Sequence, residues 1–515
     1  MKALNKIESW KNMSQAALRN LINGSDIRGI AVDTEEHGAT LTTDGIYKIA
    51  NGFLKLLVED KNIARRPLKI AIGFDSRITG PDIKEALVEV FSNAGVTILD
   101  AGLATTPAMF MATQFSEIDA DAGIMITASH LPYFYNGLKF FTKEGGAEHE
   151  DMEKMIDYVD AEVSFEGKGL VKKIPLISYY SKDLVGKIQK ETNLNKPLEN
   201  MRIVLDAGNG AGGFFASEVL EELGADTTGS QFLEPDGHFP NHVPNPDNKE
   251  AMASIQKAVL DNQSDLGIIF DTDVDRAAVV DNSGEVINRN NLIAVLAQIV
   301  IKDEPGATIV TNSPTTTHLK TFINDLGGKQ YRYISGYRNV INKAVDLNEE
   351  GTSTPLAIET SGHAAFKENY FLDDGAYVVS KILMLLPELN KEGKKISDLI
   401  KNLKQPAEAQ EVRFGILDED YQKYGNQVIK DLEEFVEHTH GFEIETDNIE
   451  GIRINVAEPY GSGWFLLRMS LHEPLLVLQV ENDDTGSNYE VFKKLEEFFR
   501  RYDELDLNKL DKVLK

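Results

Sequence analysis

A chain of 515 residues, 42% apolar and 26% charged, is too long for one core and predicts three or four domains of a soluble protein. Its net charge of −29 excludes nucleic acid as a partner, because that needs a basic footprint, and an anionic small substrate would depend on local Arg and Lys. The lack of cysteine excludes disulfides, thiolate metal sites and a cysteine nucleophile. With no run of 18 apolar residues and no apolar stretch in residues 1–10, neither a membrane span nor a signal peptide is expected, and the cytoplasm fits best.

In chain order, a strand-loop-helix pattern recurs three times. Residues 69–74 read as a strand, Asp75-Ser76-Arg77 as its exit loop, and Ile83, Leu87, Val88 and Phe91 as one helix face ending near Gly95. Residues 202–205 repeat the strand and 206–213 the loop, with Phe215, Val219, Leu220 and Leu223 on a helix ending at Gly224. Residues 307–310 begin a third copy, with Leu319, Phe322, Ile323 and Leu326 before Gly327-Gly328. Each copy supplies a later strand that runs into a polar loop: 122–126 into Thr127-Ala128-Ser129-His130, 266–270 into the segment from Asp271 to Arg276, and 355–358 into Glu359-Thr360-Ser361-Gly362-His363. Open α/β sheets place their chemistry at the carboxyl edge of the strands, so three loops are expected to serve one cleft. Past Gln405-Pro406 the pattern alternates, with strands around 410–414, 451–456, 463–468 and 475–480 and helices over 421–435 and 489–502, as in a separate antiparallel α+β domain.

Each polar loop has a functional and a plain structural reading. Ser129 leaves its strand as an exposed hydroxyl; Pro132 and Asn136-Gly137 are expected to keep the following loop out of helix and strand, and Lys139 to fold back over the serine. Ser129 beside His130 is not expected to form a nucleophile–base pair, since adjacent side chains rarely meet and no G-x-S-x-G surrounds them. Asp271, Asp273 and Asp275 at a strand end suit one hard cation such as Mg²⁺, whereas Arg276 and Asn282 occupy the glycine and glutamate positions of an EF-hand. A haloacid-dehalogenase-type pattern, with Asp271 as nucleophile, is the rival. Gly208 to Gly213 satisfies G-x-G-x-x-G, but close strand–helix packing explains the glycines better than a dinucleotide site. His438 and His440 read as surface residues.

Together the motifs Thr127 to Pro132, Asp271 to Arg276, Glu359 to His363 and Arg468-Met469-Ser470-Leu471-His472-Glu473-Pro474, with the early Asp26-Ile27-Arg28-Gly29, resemble the α-D-phosphohexomutase superfamily over the whole chain. The Glu359–His363 loop looks most like the phosphomannomutase/phosphoglucomutase branch; the phosphoglucosamine branch commonly has Gln at the position of Thr360. The resemblance implies an α/β protein of three tandem α/β/α mixed-sheet domains, placed at 1–172, 173–286 and 287–404, and a C-terminal α+β domain at 405–515 resembling the TATA-binding-protein fold.

By the same resemblance, Ser129 carries the phosphoryl group, and its phosphate oxygen joins Asp271, Asp273 and Asp275 around one Mg²⁺. Lys139, Arg28 and Arg276 neutralise the transferring group, with His363 or Lys139 as the base. Gly336, Arg338, Glu359, Ser361 and His363 contact the sugar, and Arg468 and Ser470 grip the non-reacting phosphate. The implied reaction interconverts hexose 6-phosphate and hexose 1-phosphate, of mannose, glucose or both, through a 1,6-bisphosphate that also serves as activator, in a monomer or homodimer. A mobile fourth domain would let the intermediate turn. Two departures stand out: Met469 and Leu471-His472 interrupt the usual Arg-Pro-Ser phosphate loop, and Asn312-Ser313-Pro314-Thr315 lacks a substrate-binding lysine found in some members. Alternatives to the implied activity are a phosphoglucosamine mutase, a phosphatase using Asp271, and a non-catalytic sugar-phosphate binding protein.

Overall fold

The computed structural model describes residues 13–63, 67–470 and 473–515. Residues 1–10, where no signal peptide was expected, and His472 of the phosphate loop lie outside them. Among the described residues no helix is long and apolar enough to cross a membrane. The chain divides into two compact units, one formed by residues 1–288 and 361–398, the other by 289–360 and 399–515.

The first unit opens with a mixed sheet in which Lys69–Phe74 lies parallel to both Thr97–Leu103 and Ala122–Ile126, and Tyr135–Thr142 runs antiparallel beside the latter. Its two faces are covered differently. Ile70, Ile72, Ile124 and Ile126 pack into a core with Phe53, Leu57, Leu87 and Phe91 from the helices Thr43–Glu59 and Gly80–Asn93. On the opposite face the small Gly73 and Gly123 let the helix Thr106–Gln114 descend, since a Cβ on Gly123 would stand 2.9 Å from the Met109 carbonyl oxygen. The parallel register pairs Phe74 with Ile126, so the exit loops that follow, at Asp75 and Thr127, leave the sheet side by side.

The second copy follows the same plan. Ile203–Asp206 is parallel to Leu266–Phe270, which turns back through 271–276 into the antiparallel strand Ala277–Asp281. The two first strands end in the same device: Asp75 accepts the backbone N–H of Arg77 and Asp206 that of Gly208, each at 2.9 Å. The helix expected over 215–223 is a single wide turn, Ala216–Leu220, closed by Glu221 N–H donating to the Ala216 carbonyl five residues back.

The Gly208–Gly213 run packs backbone against backbone. A Cβ on Gly210 would lie 2.6 Å from the Thr272 carbonyl oxygen and one on Gly213 2.1 Å from that of Leu233, while Ala211 N–H donates to Thr272 at 2.8 Å. The glycines press one strand exit onto the Asp271–Asp275 loop, the packing reading favoured from sequence. Gly210→Ala is therefore expected to destabilise the protein by about 1–3 kcal/mol, seen as a lower urea midpoint, because a backbone oxygen has little room to yield.

Asn136 and Gly137, expected in a turn, are instead inside the strand Tyr135–Thr142. Gly137 is needed there because a Cβ would stand 2.3 Å from the Ile27 carbonyl oxygen of the adjoining strand, and Asn136 spends its amide on the Thr79 hydroxyl at 2.9 Å.

In the second unit Thr308–Asn312 is flanked in parallel by Lys329–Tyr333 and Leu356–Ile358. The C-terminal part is a six-stranded antiparallel sheet in the order Phe442–Ile444, Ile452–Val456, Gly463–Met469, Leu475–Asn482, Glu408–Ile416, Leu505–Asp506. Phe414, Phe465, Leu478, Phe492 and Phe499 fill the space between it and the helices Tyr421–Glu437 and Ser487–Phe499. His438 and His440 are exposed, as expected.

Candidate active site

Ser129 sits at the carboxyl end of Ala122–Ile126 with φ of 51°, a left-handed conformation that a non-glycine residue adopts only when its surroundings enforce it. Its hydroxyl lies 3.2 Å from Asp271 Oδ2, and Arg276 Nη2 donates to it at 3.3 Å. Contrary to the sequence expectation, the neighbouring His130 does meet it, with Nδ1 3.3 Å from Oγ, because the left-handed backbone folds the two side chains together. His130 is still not equipped to act as its base. Arg276 Nη2 donates to the same Nδ1 at 2.6 Å, and burial together with Arg276 and Arg28 pushes the imidazole down to about 2.

The loop between Leu266–Phe270 and Ala277–Asp281 brings Asp271, Asp273 and Asp275 together, fully buried, with one oxygen of each within 4.8 Å of the others. Val274 between them has φ of 67°, an outlier for a β-branched residue, and this turn aims alternate carboxylates at one point. Asp273 Oδ1 and Asp275 Oδ1 are buried without a hydrogen-bond partner, an arrangement costly for charged oxygens unless a cation lies between them. Hard carboxylate oxygens in this number fit a divalent cation such as Mg²⁺.

The rest of the cluster balances charge around the triplet. Lys139, on the strand Tyr135–Thr142, reaches Asp275 Oδ2 at 2.6 Å and Asp273 Oδ2 at 3.4 Å, so it lies over the acidic loop. Arg276 Nε reaches Asp271 Oδ2 at 3.2 Å. Burial, with Asp275 and Asp273 nearby, pushes the Asp271 carboxyl well above the carboxylate range. Against its burial, Lys139, His363 and Arg276 hold Asp275 well below that range. Arg28, paired with Asp26 at 2.7 Å, contributes a further positive charge felt by His130.

Three partners gave no sequence signal. Thr106, first residue of the helix Thr106–Gln114, donates its backbone N–H to the Asp273 carbonyl at 2.9 Å and its hydroxyl to Asp273 Oδ2. Asp373 accepts from His363 Nδ1 at 2.5 Å and from Ala364 N–H at 3.0 Å; against burial, Asp373 and Asp275 raise the imidazole above its ordinary value. Gly375 begins the next helix under the acidic loop, where a Cβ would stand 2.7 Å from the Arg276 carbonyl carbon and 2.9 Å from the Val274 carbonyl oxygen. Ser129, Lys139, Arg276, His363 and the three aspartates therefore form one cluster in the first unit.

The other expected residues, apart from Arg28 and Ser361, belong to the second unit, the chain passing between units after Thr360. There Glu359 accepts the backbone N–H of Gly336 at 2.6 Å, joining two expected sugar loops, and Gly336 has φ of 114°. Arg338 lies half-buried in the first turn of the helix Tyr337–Glu349. Arg468, at the end of Gly463–Met469, has Nη1 3.8 Å from Glu450 Oε1, and its Nε is buried without a hydrogen-bond partner. Ser470 follows, its N–H donating to the Leu475 carbonyl at 2.9 Å. Where the sequence lacked the lysine, Ser313 and Ser335 both donate their hydroxyls to Glu450.

Comparison with known proteins bears on the whole chain. Residues 19–164, 178–284 and 288–406 match the phosphoglucomutase/phosphomannomutase α/β/α domains I, II and III in order. The chain is 31% identical over 468 residues to a phosphoglucomutase of Neisseria gonorrhoeae, covering 90% of this chain and 93% of that one. It is 28% identical over 465 residues to a phosphomannomutase/phosphoglucomutase of Pseudomonas aeruginosa, covering 90% and 92%. A solved Burkholderia thailandensis structure, described as a phosphoglucomutase/phosphomannomutase family protein, superposes with a TM-score of 0.77 at 25% identity, covering 94% and 97%.

Proposed function

The chain belongs to the phosphoglucomutase/phosphomannomutase family, and from that premise we propose that Ser129 is the phosphoryl carrier of a mutase interconverting hexose 6-phosphates and hexose 1-phosphates of mannose, glucose or both. The observation that carries the reading is the placement of the Ser129 hydroxyl between Asp271 Oδ2 and Arg276 Nη2, beside two orphaned carboxylate oxygens.

Phosphoryl transfer asks a protein mainly to align donor and acceptor and to neutralise the equatorial oxygens. A Mg²⁺ held by Asp271, Asp273 and Asp275 would supply a Lewis acid for those oxygens. Arg276 orients the Ser129 hydroxyl and offers positive charge beside it; Lys139 and Arg28 add to that field. His363, turned by Asp373 through Nδ1, is the candidate to exchange the proton of a sugar hydroxyl. Glu359, Ser361, Gly336 and Arg338 contact the sugar, and Arg468 with Ser470 holds the phosphate not in reaction. The group passes from Ser129 to the free hydroxyl of the monophosphate, forming a 1,6-bisphosphate; the bisphosphate reverses and returns its other phosphate to Ser129. Added hexose 1,6-bisphosphate, by the same step, would charge the serine and act as activator.

A coupled assay with Mg²⁺ and trace hexose 1,6-bisphosphate, run on mannose, glucose and glucosamine 1-phosphates, tests the reading together with intact-mass measurement of the protein. Turnover of mannose or glucose 1-phosphate ahead of glucosamine 1-phosphate, with one phosphate on the protein, is expected. No turnover and no phosphoprotein would sink it. Asp373→Asn should lower kcat about 10²-fold in that assay, the scale of one positioned acid–base group, with little change in KM.

A further inference from the structure

Arg77 has no part in the reaction just described, yet it is 1% exposed and its guanidinium is committed almost wholly to the serine loop. Nη1 donates to the carbonyls of Pro132 and Tyr135, each at 2.9 Å. Nη2 donates to the carbonyl of Leu131 at 2.6 Å and to that of Ser129 itself. The planar fork of a guanidinium can serve four carbonyls at once; a lysine ammonium cannot reach them in that geometry.

Asp75 holds the other side of the same residue. It accepts the Thr127 hydroxyl at 2.7 Å, and that oxygen accepts the Ser129 backbone N–H at 2.9 Å. Asp75 also accepts the N–H of Arg77 at 2.9 Å and lies 3.5 Å from its Nε. Both backbone polar groups of Ser129, its N–H and its C=O, are thus fixed from one short strand exit, Asp75-Ser76-Arg77. The parallel register of Phe74 with Ile126 is what sets the two exits side by side. A segment of the second copy closes over this exit: the Phe239 ring lies 5.3 Å from the Arg77 guanidinium carbon, and a Cβ on Gly237 would stand 2.4 Å from the Ser76 carbonyl oxygen.

We propose that Arg77, with Asp75 through Thr127, is the positioning element that holds Ser129 in its left-handed conformation and so aims its hydroxyl at Asp271 and Arg276. The left-handed backbone is unfavourable for serine and needs an external constraint, and these contacts supply one on each side of the residue. Four acceptors within residues 129–135 and one bridge to the Ser129 amide make this a clamp on the loop rather than a general tie within the sheet.

The kinetic half of the test rests on the reading of Ser129 as phosphoryl carrier; the structural half does not. Arg77→Lys is compared with wild type by amide hydrogen exchange and by the coupled assay. Exchange within residues 127–136 should rise about tenfold or more while the strands Lys69–Phe74 and Thr97–Leu103 keep their protection. kcat should fall about 10²-fold with KM for the sugar phosphate held within about twofold, the signature of a misplaced reacting group. If Arg77→Lys does not fold, Thr127→Val carries both readouts, with Thr127→Ser, which restores the hydroxyl, returning them to wild type. Unchanged exchange in 127–136, exchange raised equally across the sheet, or a loss expressed in KM alone would overturn the clamp. If wild type itself neither turns over sugar phosphate nor gains phosphate, the mutase reading fails, and the exchange result alone judges the clamp.

Discussion

Ser129→Ala is expected to cut mutase turnover by about 10⁴-fold or more, the scale of losing a nucleophile. The change removes one oxygen from a buried residue and leaves the clamp on its backbone intact, so the variant should fold and still bind sugar phosphates. No nearby group can take over. Asp271, the rival nucleophile, accepts the Arg276 backbone N–H on Oδ1 and Arg276 Nε on Oδ2, each at 3.2 Å, and the substitution leaves both bonds in place. His130 Nδ1 is occupied by Arg276. The measurement is turnover in the coupled assay with intact mass after incubation with hexose 1,6-bisphosphate; the variant should gain no phosphate. Residual phosphate release from hexose phosphates at a rate near wild type would move the chemistry to Asp271 and make the protein a phosphatase.

What could be read from the chain and what could not divide along a physical line. The strands 69–74, 122–126 and 266–270 are legible because they are buried on both faces, the first at all but its end residues Lys69 and Phe74, and therefore read as apolar runs. The Asp271–Asp275 triplet was legible because three carboxylates in five residues have few structural uses. Arg77, Thr106 and Asp373 were not, because each acts through a partner distant in sequence: Arg77 on carbonyls 52–58 residues away, Thr106 on Asp273 at a separation of 167. Asn136-Gly137 misled for a related reason. The dipeptide favours turns when only local conformation is weighed, but here the missing Cβ answers to the Ile27 carbonyl on another strand. The Ser129–His130 contact leaves no mark in the sequence because adjacent side chains rarely meet, and here the positive φ at Ser129 brings them together. The division after Asn288 lies two residues from the expected domain boundary, whereas the division after Thr360 cuts through the third repeat, inside the loop from Glu359 to His363 that reads as one element in sequence.

Removing divalent cations is the second large perturbation, and it separates the charge in the site from its chemistry. Asp271, Asp273 and Asp275 are buried together against Lys139 and Arg276, and without a metal this crowding pushes the Asp271 carboxyl well above the carboxylate range. Chelation by EDTA should abolish turnover and lower the melting temperature, and Mg²⁺ should restore both. At a hundred times its dissociation constant, a ligand that binds only the folded state adds about 2.7 kcal/mol. Asp271→Asn sharpens the test because its two effects have opposite signs. The amide removes one ionisable carboxylate from a crowded buried site, so the EDTA-treated variant should melt higher than EDTA-treated wild type, by about 1 kcal/mol or more. The same change weakens the ligand set, so the Mg²⁺-induced rise should shrink or vanish, and turnover should fall about 10³-fold. A variant that loses stability with and without Mg²⁺ would mark Asp271 as a structural partner of Arg276. A wild type whose melting ignores divalent cations altogether would leave the orphaned oxygens of Asp273 and Asp275 without their cation and remove the metal from the mechanism.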